Sequence, residues 1–157
     1  MKKKIMLGAV IVVTACLLDR ITKLWAALLN EPKVFIDGLV GFRYVRNTGV
    51  AFSMLSDMTW LVNILSVVMI GAVILLILRE KGFGGAAQTG MWLIVAGGLG
   101  NLYDRLTMGY VIDFIELLFM DFAIFNVADI CVCCGAVLAG IAIFFGDKNN
   151  EKTTEVA

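Results

Sequence analysis

Apolar residues in this chain fall into four long blocks, and the polar residues inside those blocks are few and grouped. Residues 5–29 are apolar except where Asp19, Arg20 and Lys23 interrupt them. Residues 60–78 carry only Asn63 and Ser66 as polar interruptions. Residues 89–106 are apolar and glycine-rich until Asn101, Asp104 and Arg105. Residues 122–146 are apolar apart from Asn126 and Asp129. A bilayer core about 30 Å thick takes about 20 helical residues to cross, and a helix satisfies its own backbone hydrogen bonds there. The pattern predicts an all-α membrane protein, a bundle of four transmembrane helices.

Between the first two blocks, Pro32 and the glycines at 38, 41 and 49 punctuate a stretch in which 34–36 and 42–45 read as short strands. The second connection on that side, 108–121, is apolar and carries Asp113, Glu116 and Asp121. Together they predict a small, partly β-stranded extracytoplasmic platform. Lys2, Lys3 and Lys4, then Arg79 and Lys81, then Lys148 and Lys152 fall on the opposite side, which places both termini in the cytoplasm. Residues 1–147 form one integral-membrane domain, and 148–157 form a polar cytoplasmic tail. The segment Val13-Thr14-Ala15-Cys16 after a basic start also matches a lipid-modified cysteine box. The apolar block resumes beyond it to Leu29, which favours a retained helix.

Composition sharpens the picture. Of 157 residues 61% are hydrophobic and 17% charged, against nearer half and a quarter in a soluble domain. Thirteen basic residues balance thirteen acidic ones, so no net charge favours nucleic acid. The absence of histidine removes Ser-His-Asp and Cys-His nucleophiles, His-ligated zinc and histidine bases. Cys16, Cys131, Cys133 and Cys134 match no zinc spacing and read as small fillers of helix interfaces. No metal site and no cofactor is expected.

The chemistry must then lie with the intramembrane polar groups, each of which is costly in lipid and needs a partner or a purpose. Asp19 and Lys23 stand one helical turn apart and can pair, with Lys23 snorkelling to the interface. Asn101, Asp104 and Arg105 gather at a helix end, where a structural network and a substrate-facing one both fit. Asn126 and Asp129 share a face. In a helix starting at residue 122, Asp129 would lie about 10 Å inside the edge, which marks it as a functional candidate. Asp113 is the other. Two carboxylates sharing a site would keep one proton between them, the state in which one can activate water and the other donate to a carbonyl oxygen. Spacing alone does not pair these two.

Four blocks in order, Asp19-Arg20-Ile21-Thr22-Lys23, Asn47-Thr48-Gly49-Val50-Ala51-Phe52, Gly97 to Arg105 continuing to Val111-Ile112-Asp113-Phe114, and Phe125-Asn126-Val127-Ala128-Asp129, give the chain a resemblance. It resembles the lipoprotein signal peptidases (signal peptidase II), bacterial intramembrane aspartyl peptidases. The resemblance implies a catalytic pair, Asp113 and Asp129. It also implies that Asn47, Gly49, Asn101, Arg105 and Asn126 line or brace the site, with Asp19, Lys23 and Asp104 supporting it. Val50 stands where the family usually has a smaller residue.

The implied reaction removes signal peptides from bacterial prolipoproteins. It cuts on the N-terminal side of a diacylglyceryl-modified cysteine, near the outer leaflet of the inner membrane. The implied partners are the lipid-modified substrate and membrane lipid, and a monomer suffices. The alternative is a small transporter or proton relay, which would need polar residues along a path crossing the whole bilayer.

Overall fold

The computed structural model describes residues 2–49, 58–80 and 82–150. Four helices and three strands follow in the order α1 (Lys2–Ala26), β1 (Lys33–Ile36), β2 (Val40–Asn47), α2 (Thr59–Arg79), α3 (Gly85–Met108), β3 (Val111–Leu117) and α4 (Val127–Asn150). Three helical stretches, Ile5–Ala26, Thr59–Arg79 and Val127–Gly146, are long and apolar enough to cross a membrane. They expose leucine, isoleucine and valine along much of their length, as lipid-facing surfaces do.

The third predicted span is the exception. α3 has 24 residues, yet its glycines and polar groups leave it short of the hydropathy of a span. The physical reason is its position. It packs against α1, α2 and α4 and buries Met91, Val95, Gly97, Leu102 and Asp104, so protein rather than lipid surrounds much of it. Ile70, Ile77, Met91, Val95 and Leu102 form the bundle core around it.

Small residues let α3 and α4 touch. A Cβ built on Gly97 would lie 2.2 Å from the Ala128 carbonyl oxygen, and one on Gly90 would lie 2.5 Å from that of Gly135. The pairs repeat every seven residues on both helices, about two turns, so one seam of backbone contact runs between them. Packing of this kind holds membrane helices together where no hydrophobic force acts between them.

The strands form one antiparallel sheet in the order β1-β2-β3. Gly38, at φ 67°, turns β1 into β2. Gly109, at φ 80°, ends α3 with its N–H on the Arg105 carbonyl and sends the chain back into β3. The sequence pattern missed β3, because Val111, Ile112, Asp113 and Phe114 are all buried and a strand covered on both faces shows no alternation. Ile112 and Phe114 pack with Ala26, Phe42 and Tyr44 beneath the sheet, which leaves Val111 and Asp113 on the other face.

Several predicted boundaries shift, among them the start of α3, at Gly85 rather than 89. α1 ends at Ala26 rather than 29, and α4 begins at Val127 rather than 122. Phe125 is extended instead and bridges Ile115. Of the tail, 148–150 continue α4 and 151–157 lie outside the described residues.

Gly97→Ala should lower stability by about 1–3 kcal/mol, because the obstructing atoms belong to the α4 backbone. Gly71→Ala, whose Cβ would meet nothing within 4 Å, should be neutral or stabilising, alanine being the better helix former. Thermal unfolding in detergent distinguishes them. Equal midpoints for the two variants would contradict the seam.

Candidate active site

The last residue of β2, the middle of β3, the end of α3 and the start of α4 meet at one end of the bundle. They enclose a cavity of about 400 Å3. Asn47, Asn101, Arg105, Asp113 and Asp129 line its polar side, and Phe122, Ile130, Cys133 and Cys134 are among the residues of its apolar side. Asn47 reaches it because β2 pairs with β3 so that Val45 opposes Asp113 and Asn47 opposes Val111. Residues directly opposite share a face, so Asn47 and Asp113 are diagonal neighbours on it.

Asn126 organises the carboxylates. It caps α4: its side-chain oxygen accepts the Asp129 N–H at 3.0 Å, and its own N–H donates to Asp129 Oδ2 at 3.1 Å. This reciprocal pair is a capping box, here closed by a short acid. The Asn126 amide nitrogen meanwhile donates to Asp113 Oδ1 at 2.6 Å, with Asn101 Oδ1 at 3.1 Å and the Ile112 carbonyl at 3.3 Å also in reach. Asn47 donates to Asp113 Oδ2 at 2.8 Å, and Asn101 donates to Asp129 Oδ1 at 2.8 Å. Each of the four carboxylate oxygens therefore accepts one N–H.

The depth inferred for Asp129 from sequence needs correction. Because α4 starts five residues later than predicted, Asp129 belongs to its first turn, where the helix end favours negative charge. For Asp113, on the sheet, burial pushes the carboxyl up to about 6. The Asn47 bond works against that shift, and the charge of Asp129 adds to it.

A second cluster sits behind the first. Lys23 is fully buried and does not snorkel, contrary to the sequence expectation. Its ammonium donates to Asp19 Oδ2 and Asp104 Oδ2, each at 2.9 Å, and to Asn101 Oδ1 at 2.8 Å. Arg20 pairs with Asp104 and lies over the Tyr103 ring, 5.1 Å from its centre. Asp19 Oδ1 accepts the N–H of Ala128 at 3.0 Å, a second cap on α4. Two acids and two bases thus balance, three of them buried and Arg20 partly exposed.

Asp104 and Arg105 do reach different partners. Arg105 Nη2 donates to the Gly49 carbonyl at 3.0 Å, and the Gly49 N–H donates to Asn47 Oδ1 at 2.9 Å. Val50, Ala51 and Phe52 of the same block lie outside the described residues. Arg20 and the Phe125 backbone were not among the expected site residues. Arg20 had a signal, being a charge inside an apolar block. Phe125 acts through its carbonyl, which accepts the Phe114 and Ile115 N–H groups, and its side chain gave no sign of this. Among the described residues no cluster of three Cys, Asp or Glu side chains could hold a metal ion.

A mostly helical membrane protein that gathers two carboxylates, two amides and an arginine round one cavity, with the amide of Asn126 bonded behind them, has the make-up of a membrane-embedded hydrolase of the aspartic type. The family model described as signal peptidase (SPase) II matches residues 11–145. The chain belongs to that family, whose members remove signal peptides from prolipoproteins. It is 40% identical over 147 residues to a lipoprotein signal peptidase of Streptococcus pyogenes serotype M2 (strain MGAS10270), covering 92% of this chain and 95% of that one. The counterpart in serotype M5 (strain Manfredo) matches equally over the same shares. A solved structure described as a bacterial membrane enzyme superposes with a TM-score of 0.85 at 28% identity, covering 92% of each chain. Another of the same description gives 0.79 at 29% identity, covering 90% of this chain and 94% of that one.

Asp104→Ala would remove one of the two acids that hold the fully buried Lys23 ammonium, and the partner of the partly exposed Arg20, and should cost about 3–5 kcal/mol. Arg43→Ala breaks the Arg43–Glu116 pair, whose arginine is half exposed, and should cost under about 1 kcal/mol. Denaturant unfolding in detergent compares them. A loss for Asp104→Ala no larger than for Arg43→Ala would mean that the cluster carries no fold stability.

Proposed function

We infer that the protein is an intramembrane aspartyl endopeptidase that cuts a prolipoprotein on the N-terminal side of its diacylglyceryl-modified cysteine, with Asp113 and Asp129 as the catalytic pair. The observation that carries this is Asn126, which bonds both carboxylates on the wall of one cavity. Asp113, with its raised affinity for a proton, is the acid. Asp129, at the positive end of α4 and bonded by Asn101 and the Asn126 N–H, is the base. Asp129 takes a proton from water, the hydroxyl adds to the scissile carbonyl, and Asp113 donates to its oxygen. Collapse of the tetrahedral species, with a proton passed to the leaving amine, releases the signal peptide.

Arg105 and Asn47 hold the substrate backbone. Arg105 Nε is buried and finds no acceptor among the described residues, so a substrate carbonyl would satisfy it. α3 crosses the bilayer as a fourth span shielded by the other three. That puts both termini in the cytoplasm and the cavity near the outer leaflet of the inner membrane, where lipid can hold the substrate's acyl chains while water enters from outside. One chain contains every residue the reaction uses. A transporter would need polar groups along its length, but the buried charges Asp19, Lys23, Asp104 and Asp113 sit at one end of the bundle, leaving Gln88 at the other.

Asp113→Asn and Asp129→Asn should each reduce cleavage of a diacylglyceryl precursor by about a thousandfold or more with unchanged unfolding midpoints. Activity within tenfold of the parent in either variant would overturn the pair. The pair must keep one proton, and Asp113 releases its own as pH rises through about 6, so kcat/KM should fall on the alkaline side of that value. The Asn47 bond holds the Asp113 carboxyl down, so Asn47→Ala should move the alkaline limb to higher pH. A limb that stays in place or moves down contradicts the assignment of Asp113 as the acid.

A further inference from the structure

Lys23 does not line the cavity, yet it touches a residue that does. An ammonium has three N–H groups and no acceptor. Those of Lys23 meet Asp19 Oδ2, Asp104 Oδ2 and Asn101 Oδ1. Neutralising the two acids takes two of them, and the third is spent on an uncharged amide. That contact has a directional consequence. Because Lys23 can only donate, Asn101 must turn its oxygen towards it, and the Asn126 amide nitrogen, 3.1 Å away, approaches that same oxygen. The Asn101 nitrogen is then left facing Asp129 Oδ1 at 2.8 Å. A flipped Asn101 would set its nitrogen against the ammonium and the Asn126 amide nitrogen and its oxygen against the Asp129 carboxylate, three repulsive contacts replacing three favourable ones.

We propose that Lys23 is a positioning residue for peptide hydrolysis: it fixes the orientation of the Asn101 amide and so keeps an N–H donor on the carboxylate of Asp129. The proposal rests on the reading of Asp129 as the base. The ammonium acts through one intervening side chain, from α1 across α3 to α4, and touches neither substrate nor water. The charged and titratable groups that face Asp129 are Asp19 and Lys23 from α1, Arg105 from α3, Asp113 from β3 and Cys131 on its own helix. Loss of the Lys23 charge therefore reaches Asp129 by two routes, through space and through Asn101, and the experiment has to separate them.

The test measures kcat, KM and their pH profiles for Lys23→Met, Asn101→Leu and the double variant, on a diacylglyceryl precursor in detergent. Lys23→Met should lower kcat by about tenfold or more, leave KM within about twofold, and move the acid limb of kcat up by about one pH unit. With Asn101→Leu already present, the same lysine change should produce a clearly smaller displacement, the part that acts through space. Equal displacement in both backgrounds would show the charge acting through space alone, and an unmoved profile would show a structural lysine; either overturns the proposal. Should Lys23→Met fail to fold, Asp19→Asn/Lys23→Met removes one charge of each sign and keeps an oxygen for the Ala128 N–H. Where turnover is too slow, titration of 13C-labelled aspartate by NMR reads the same displacement at Asp129. If Asp129→Asn itself remained active, the reading of the base would fail, a result separate from any of these.

Discussion

Ions held away from water cost several kcal/mol each unless every donor and acceptor is met. That constraint shapes the end of this bundle. Asp19, Arg20, Lys23 and Asp104 balance in charge and satisfy one another across α1 and α3, and the remaining oxygen of Asp19 reaches the backbone of α4. The same contacts that make these charges tolerable dock three helices at a fixed register. The cavity then lies between elements already pinned, so its amides and carboxylates meet without being free to drift.

α3 shows how such a bundle can hold a polar helix at its centre. On hydropathy it is the least membrane-like of the four helices, because its neighbours stand between it and lipid. Its glycines admit the α4 backbone, and its polar end supplies Asn101 and Arg105 to the cavity. Small residues on one stretch and polar residues on the next divide the helix into a part that packs and a part that faces the cavity.

Much of this was legible in the sequence, for identifiable reasons. Long apolar blocks announce helices whatever their partners, and a carboxylate among leucines draws attention wherever it falls. The hairpin of β1 and β2 showed through its turn residues. β3 did not, since strand recognition from one sequence relies on alternation and both faces of this strand are covered. The start of α4 is hidden because 122–125 are as apolar as the helix that follows; only Asn126 and Asp129 signal the boundary, and polar groups in an apolar block signal chemistry as readily as a helix cap. Lys23 was expected to reach water because lysines near helix ends usually can. What sequence could not supply was the set of acceptors waiting on another helix.

Asn126 and Asp129 close the first turn of α4 upon each other, so one carboxyl group both begins a helix and faces the cavity. Its rotamer is inherited from the backbone, and assembling the helix end sets that wall of the cavity. At such a position architecture and reactivity cannot be varied separately by any residue that lacks a side-chain oxygen. Evolution can retune this carboxyl group only from its neighbours.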